Sequence, residues 1–287
     1  MRRTGDLRNT IGVGNRVLGP DPVLAGVLNV TPDSFSDGGD FLDPERASAR
    51  AAAMLDEGAQ IIDVGGESTR PGSDPVSPEE ELRRVVPVIR GIMAERPEAI
   101  VSIDTYRAGT AEAALQAGAS VVNDVSALRR DPGMPDVVAD AGCPVILMHM
   151  LGEPKTMQRD PHYDDVVREV RDFLAGRAER AVAVGVEEEN IILDPGIGFG
   201  KTLEHNLALL RHLDSLVELG FPVLVGASRK TFIGKITGVE EARERVFGTV
   251  AANVIACARG ATFFRVHDVR ANREALAVAR AVRSDAR

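Results

Sequence analysis

The chain has 287 residues, of which 44% are hydrophobic and 27% charged, and it carries a formal charge of −9. This is the balance of a soluble globular protein long enough for one large α/β unit or two small ones. The acidic excess argues against nucleic-acid binding, because phosphate backbones select basic faces.

Arg2 and Arg3 are not followed by an apolar stretch, so the start does not read as a secretory signal. No segment reaches the roughly 20 uninterrupted apolar residues that a membrane span needs. A cytoplasmic protein is expected. Residues 1–22 precede the first strand, and Gly12, Gly14 and Gly19 predict a hairpin or arm that closes the bottom of the fold.

From residue 23 the pattern alternates. Apolar, β-branched runs at 24–30, 61–66, 100–104, 121–125, 144–150, 191–194, 222–226 and 262–267 read as strands buried on both faces, hence parallel. Helical patterns fill the gaps and are clearest over 164–184 and 205–219. Gly58, Gly118, Gly142, Gly185, Gly220 and Gly260 each stand where a helix should stop in a left-handed cap. Strict strand–helix alternation through eight strands predicts an α/β chain folded as a single (β/α)8 TIM barrel, with 1–22 as its arm and 23–287 as the barrel. Cys143 and Cys257 belong to no metal or redox spacing and are expected as reduced core residues.

Polar residues collect at the strand ends: Asn29, Asp63, Asp104, Asn123 with Asp124, His149, Asp194, Ser228-Arg229-Lys230, and Arg265 with His267 and Asp268. A single Asp after a strand is more often a helix cap than a catalytic group. Eight strand ends agreeing is a different matter, because in a barrel they converge on one mouth, where barrel enzymes keep their chemistry. Gly196-Ile-Gly-Phe-Gly-Lys-Thr approaches a phosphate-binding P-loop, but Pro195 stands where its first Gly belongs. That stretch reads instead as a turn letting backbone approach a flat ligand beside Phe199. Arg229, Lys230, Arg265 and His267 lie after the seventh and eighth strands, the usual anion side of such barrels. Asp104 and Asp194, with Asn123 between them in the chain, suit a planar heterocycle with an N–C–N edge. No spacing for a dedicated transition-metal site is present, whereas Mg2+ held by Asn29 and diphosphate oxygens is compatible with the residues.

Eight stretches make the pattern specific. Gly26-Val-Leu-Asn-Val-Thr-Pro-Asp-Ser-Phe-Ser-Asp-Gly-Gly and Asp63-Val-Gly-Gly-Glu-Ser-Thr-Arg-Pro-Gly resemble the two signatures of dihydropteroate synthases. Ser102-Ile-Asp-Thr, Val122-Asn-Asp-Val, Met148-His-Met, Leu193-Asp-Pro-Gly-Ile-Gly-Phe-Gly-Lys, Gly226-Ala-Ser-Arg-Lys and Arg265-Val-His-Asp-Val follow in family order. The resemblance runs from about residue 23 to the end. It implies an enzyme that joins a pterin diphosphate to 4-aminobenzoate in folate biosynthesis, with Mg2+ as cofactor and a homodimer built on residues 241–259.

The same resemblance implies roles. Asp104, Asn123, Asp194 and Lys230 would hold the pterin, with Met148, Phe199 and Gly226 lining its pocket. Asn29, Arg265 and His267 would take the diphosphate and Mg2+, Thr69 also reaching the pterin diphosphate. Asp33, Phe35, Thr69, Arg70 and Pro71, on loops 31–39 and 68–73, would shape the 4-aminobenzoate pocket with Ser228, Lys230 and Phe199. Asp104, Asp194, Lys230, Arg265 and His267 would carry the chemistry, a dissociative displacement of diphosphate by the amine. A corrinoid methyltransferase of the same pterin-barrel superfamily and a silent pterin-binding paralogue are the alternatives. The first has no use for the diphosphate-side residues.

Overall fold

The computed structural model describes residues 9–31, 43–68 and 73–283. A small antiparallel hairpin, β1 (Ile11–Val13) and β2 (Arg16–Leu18), comes first. Gly14 supplies the positive φ, 55°, that opens its two-residue turn. The remaining strands are β3 (Val23–Asn29), β4 (Ile61–Gly65), β5 (Ile100–Asp104), β6 (Val121–Asp124), β7 (Val145–Met148), β8 (Ile191–Asp194), β9 (Leu224–Val225) and β10 (Phe263–Val266). All are parallel, in the order β8-β7-β6-β5-β4-β3-β10-β9. A parallel bridge from Leu193 to Val223 joins the two ends. The (β/α)8 expectation is met.

The closing seam is thin. The run expected at 222–226 contributes only Leu224–Val225, since Pro222 has no N–H to donate and offers only its carbonyl, 2.9 Å from the Leu193 nitrogen.

Ten α-helices cover the described part of the barrel: α1 (Pro44–Glu57), α2 (Pro78–Glu95), α3 (Ala108–Gln116), α4 (Met134–Ala141), α5 (Val166–Ala183), α6 (Leu203–Arg211), α7 (Asp214–Val217), α8 (Thr231–Thr237), α9 (Val246–Ala258) and α10 (Val269–Arg283). Side chains of Asp43, Ser77, Asp165 and Thr202 accept first-turn N–H groups and start α1, α2, α5 and α6. All six glycines expected as helix stops take positive φ. The single helix expected over 205–219 is instead α6 and α7. Both the N–H and the hydroxyl of Ser215 donate to the His212 carbonyl, which tightens that turn and breaks the run. Among the described residues no helix is long and apolar enough to cross a membrane.

The two-residue period of each strand divides the core. Leu24, Ile62, Val101, Val122, Leu193 and Phe264 face out and pack beneath the helices, in the same cluster as buried Cys143 and Cys257. Val23, Ile61, Ile100, Val121, Ile192 and Phe263 face in and form an apolar floor with Ile11, Val13 and Leu18 of the hairpin. The hairpin therefore seals the end of the barrel opposite its mouth.

Candidate functional site

The floor fixes the positions above it. Two residues further along each strand the same inward face carries Asp63 after Ile61, Asn123 after Val121, Met148 after Ile146, Asp194 after Ile192, Gly226 after Leu224 and Arg265 after Phe263. Asn29, Asp104 and His267 continue that phase. One step up the barrel, its lining changes from aliphatic to polar, and Asp63, Asp104, Asn123 and Asp194 are all buried.

Arg265 binds this set together. Its Nε donates to Asp63 Oδ2 and its Nη2 to Asp104 Oδ2, while Asn123 Nδ2 lies 3.3 Å from Asp63 Oδ2. Asp194 Oδ1 accepts the Gly196 N–H at 2.7 Å. Glycines keep the centre open: a Cβ on Gly65 would stand 3.5 Å from Asp104 Cβ and 3.8 Å from Asn29 Oδ1, and one on Gly226 would stand 4.0 Å from Asp194 Oδ2. Burial pushes the Asp104 carboxyl up against the opposing pull of Arg265, with Asp63 adding to the rise. Burial also pushes Asp194 up, to about 6, against the Gly196 N–H, Lys230, Arg265 and Lys201. Asp63 and Asp104 hold the Arg265 guanidinium protonated despite its burial.

Across the mouth, Ser228 Oγ and His267 Nδ1 are 3.0 Å apart, and the His267 N–H donates to the same hydroxyl. The Lys230 ammonium sits 4.0 Å from the centre of the Phe199 ring. Phe199 packs with Met148, Val125, Met150 and Met157 in a small apolar wall.

Four strand-end residues, Arg229, Asp268, Asp124 and His149, stand elsewhere. Arg229 does not join the cations of the mouth; its guanidinium forms a two-point pair with Asp268, at 3.0 and 2.6 Å. Asp124 points off the inward phase and accepts the N–H groups of Ser126 and Leu128, shaping the turn after β6. His149 follows Met148 and so falls behind the barrel wall, where its ring meets Phe173 edge-on at 4.8 Å. Asp33, Phe35, Thr69, Arg70 and Pro71 lie outside the described residues. Among those that are described, no group of three or more His, Cys, Asp or Glu side chains is arranged to hold a metal.

Sequence reasoning left out Asp63 and Lys201. Asp63 is visible as a strand-end acid but receives no role there, although its inward phase from Ile61 assigns it to the mouth. Lys201 ends a motif that reads as a turn beside a flat ligand, and the lysine itself receives no role there. The turn holding it is tight: a Cβ on Gly196, whose φ is +66°, would stand 1.9 Å from the His149 carbonyl oxygen. Gly196→Ala is therefore expected to cost more than about 1 kcal/mol, seen as a lower Tm in a thermal melt. An unchanged melt would mean that the turn can move off β7.

Comparison with known proteins agrees with this geometry. A family profile described as "Pterin binding enzyme" matches residues 25–267. Over 259 residues the chain is 49% identical to the dihydropteroate synthase of Synechocystis sp., covering 90% of this chain and 89% of that protein. The structure of the Xanthomonas albilineans dihydropteroate synthase with 4-aminobenzoic acid superposes with a TM-score of 0.91 at 47% identity, covering 97% of this chain and 99% of that one. The same Xanthomonas enzyme in complex with 7,8-dihydropteroate gives a TM-score of 0.87 at 45% identity, over 96% and 99% of the two chains.

Proposed function

The chain belongs to the dihydropteroate synthase family of pterin-binding enzymes, and from that premise we propose how its own residues carry the family reaction. It is a transferase of folate biosynthesis, condensing (7,8-dihydropterin-6-yl)methyl diphosphate with 4-aminobenzoate to 7,8-dihydropteroate and diphosphate. The observation that carries the mechanism is the mouth itself. Buried carboxylates (Asp63, Asp104 and Asp194) share one opening with Arg265, Lys230 and His267.

Asp104, Asn123 and Asp194 hold the N–C–N edge and ring nitrogens of the pterin, and Met148, Gly226 and Phe199 bound its faces. The arylamine is neutral near pH 7 and needs no strong base, so the hard step is breaking the bond from the methylene carbon to the diphosphate oxygen. That bond's electron pair leaves with diphosphate, and Arg265, Lys230 and His267 face the growing negative charge. The methylene becomes cation-like, and Asp104 and Asp194 favour it from the pterin side. The amine lone pair then forms the C–N bond and releases its proton. Breaking before making in this way is a dissociative, SN1-like course. We place 4-aminobenzoate by Phe199, Ser228 and Lys230, with Phe35, Thr69, Arg70 and Pro71 completing that pocket and Thr69 also reaching the pterin diphosphate.

Asn29 brings one neutral amide oxygen to the rim beside Asp104. Such a donor fits Mg2+, which keeps most of its waters and takes substrate phosphate oxygens. Bound there, Mg2+ would supply charge stabilisation to the departing diphosphate.

The test is direct. Purified chain with the pterin diphosphate, 4-aminobenzoate and Mg2+ should release diphosphate and dihydropteroate in equal amounts. A corrinoid methyltransferase or a silent pterin binder would give neither.

We also propose a homodimer, which exposed apolar side chains support. On α9, Phe247 is 88% and Ile255 52% exposed, and the neighbouring α10 exposes Val278 and Val282. Helices α9 and α10 pack together, and large exposed apolar side chains on both are what an interface would cover. Phe247→Glu is expected to shift the particle from dimer to monomer in analytical ultracentrifugation. A variant that sediments like its parent would place the interface elsewhere. Cys143 and Cys257 are both buried free thiols, which suits a reducing compartment, and the cytoplasm is where we place the reaction.

A further inference from the structure

The turn after β8 holds a buried ammonium that the displacement of diphosphate does not use. Lys201 is 3% exposed. Its Nζ lies 3.0 Å from the Phe199 carbonyl oxygen, 3.0 Å from His149 Nδ1 and 3.4 Å from the His149 carbonyl oxygen. An ammonium has three protons to donate, and here it meets three acceptors. The match requires an unprotonated His149 Nδ1. Burial, then the Lys201 and Arg129 charges, push that imidazole down to about 2.

The clamp grips a segment with little freedom of its own. Gly200, at φ +63°, would bring a Cβ to 2.5 Å from the Leu151 carbonyl oxygen, so the turn is pressed against the end of β7 at both Gly196 and Gly200. Tyr163 Oη donates to the Gly200 carbonyl at 2.9 Å and Gln158 Nε2 to the Gly198 carbonyl at 2.6 Å. These bonds hold the turn, but among the described residues only the Lys201 bond holds the carbonyl of Phe199 itself. The ring of that residue carries the Lys230 ammonium at 4.0 Å, and Gly198 leaves just enough room beneath the Lys230 stem, 3.1 Å from Cδ to where a Cβ would be. A physical chain thus runs from Lys201 through the Phe199 backbone and ring to Lys230.

We propose that Lys201 is a positioning residue for the arylamine substrate: by tying the Phe199 carbonyl to the end of β7, it sets where the Phe199 ring and the Lys230 ammonium stand. The inference rests on the proposed contact of these two side chains with 4-aminobenzoate. A lysine that merely filled the space would be a poor choice, because an ammonium is costly to bury unless its protons are all accepted. Burial pulls this one down to about 7, with Asp194 holding it up and Lys230 opposing. Asp194 and the surrounding acceptors favour the charged form against that burial.

Steady-state kinetics of the full chain, varying each substrate separately with Mg2+ present, tests this. Lys201→Met should raise KM for 4-aminobenzoate about 10-fold, the scale of a misplaced cation–π contact. KM for the pterin diphosphate should rise several-fold less, because Asp104, Asn123, Asp194 and Met148 still hold that substrate while Phe199 and Lys230 shift. Lys201→Arg, which keeps the charge and donors, should recover most of the loss. Phe199→Ala should raise the same KM, and the double variant should add nothing further, since both changes act through one ring. An equal rise in both KM values, no rise in either, or additive effects in the cycle would overturn the proposal. Should Lys201→Met fail to fold, Lys201→Gln is judged by the same three outcomes. The two readings fail differently: a Phe199→Ala variant with unchanged KM for 4-aminobenzoate removes the substrate placement, whereas a Phe199 effect without a Lys201 effect removes this inference alone.

Discussion

Asp194→Asn should lower kcat/KM for the pterin diphosphate by about two to three orders of magnitude, the size of losing one preorganised charge at a reacting centre. The side chain stands on the inward face of β8, 4% exposed, with Oδ1 already taken by the Gly196 N–H. Its second oxygen faces the open space left by Gly226. Asparagine keeps the shape and the bond from Gly196, so the turn survives. It removes the negative charge opposite the cation-like methylene and turns an NH2 group toward the pterin's own donors. Wild-type kcat/KM should fall as pH drops through about 6, where the carboxylate takes up its proton, and the variant should lack that limb. Stability should move the other way. The folded-state pKa lies above the ordinary value of 3.8 because burial opposes the charge. The group therefore favours the folded state fully below about 3.8, and that contribution is lost as pH rises through about 6. At pH 8 the Asn variant should be at least as resistant to urea as its parent while being far less active. Normal kinetics in this variant would remove Asp194 from the mechanism.

Local rules made most of the scaffold legible. Runs such as Ile100–Asp104 announce strands buried on both faces, and glycines such as Gly58 and Gly118 mark helix ends by a backbone need that other residues meet poorly. The inward period also makes much of the mouth readable, since Asp104, Asn123, Asp194 and Arg265 follow in phase from the apolar floor. That rule, carried one residue further along β7, would have turned His149 away from the mouth, because Met148 already holds the inward position. What the chain does not reveal locally is pairing. Arg265 and Asp63 are 202 positions apart and meet only when the barrel closes. Arg229 and Lys230 are neighbours with the same charge. A positive φ of 60° at Arg229 helps send it to Asp268, while Lys230 goes to Phe199. The break between α6 and α7 was equally hidden, because it turns on one hydroxyl competing for a helix carbonyl.

Pairing is also where the second large effect is expected. The side chains of Asp63 and Asp104 are 2% and 6% exposed and both lean on Arg265. Arg265→Met keeps much of the bulk and removes the shared partner, leaving two carboxylates together out of water. Breaking a buried ion pair from one side costs about 3–5 kcal/mol, and that loss is expected at pH 8 in urea denaturation. The gap between parent and variant should narrow as pH falls. Burial already drives Asp104 up and Arg265 is the main group holding it down, so without the guanidinium its pKa in the folded chain rises further. A group so shifted destabilises the fold at high pH and ceases to do so once it is protonated. At pH 5 the variant should have regained much of its stability. Arg265→Lys should recover only part of the loss at pH 8, because a single ammonium cannot reproduce the guanidinium's separate Nε and Nη2 bonds to two carboxylates. Asp63→Asn in the Arg265→Met background should recover stability at pH 8 by removing one of the stranded charges. A loss equal at pH 5 and pH 8, or no recovery in the double variant, would mean that Arg265 stabilises the barrel by packing and that the ion triad at its mouth is not what holds these carboxylates in place.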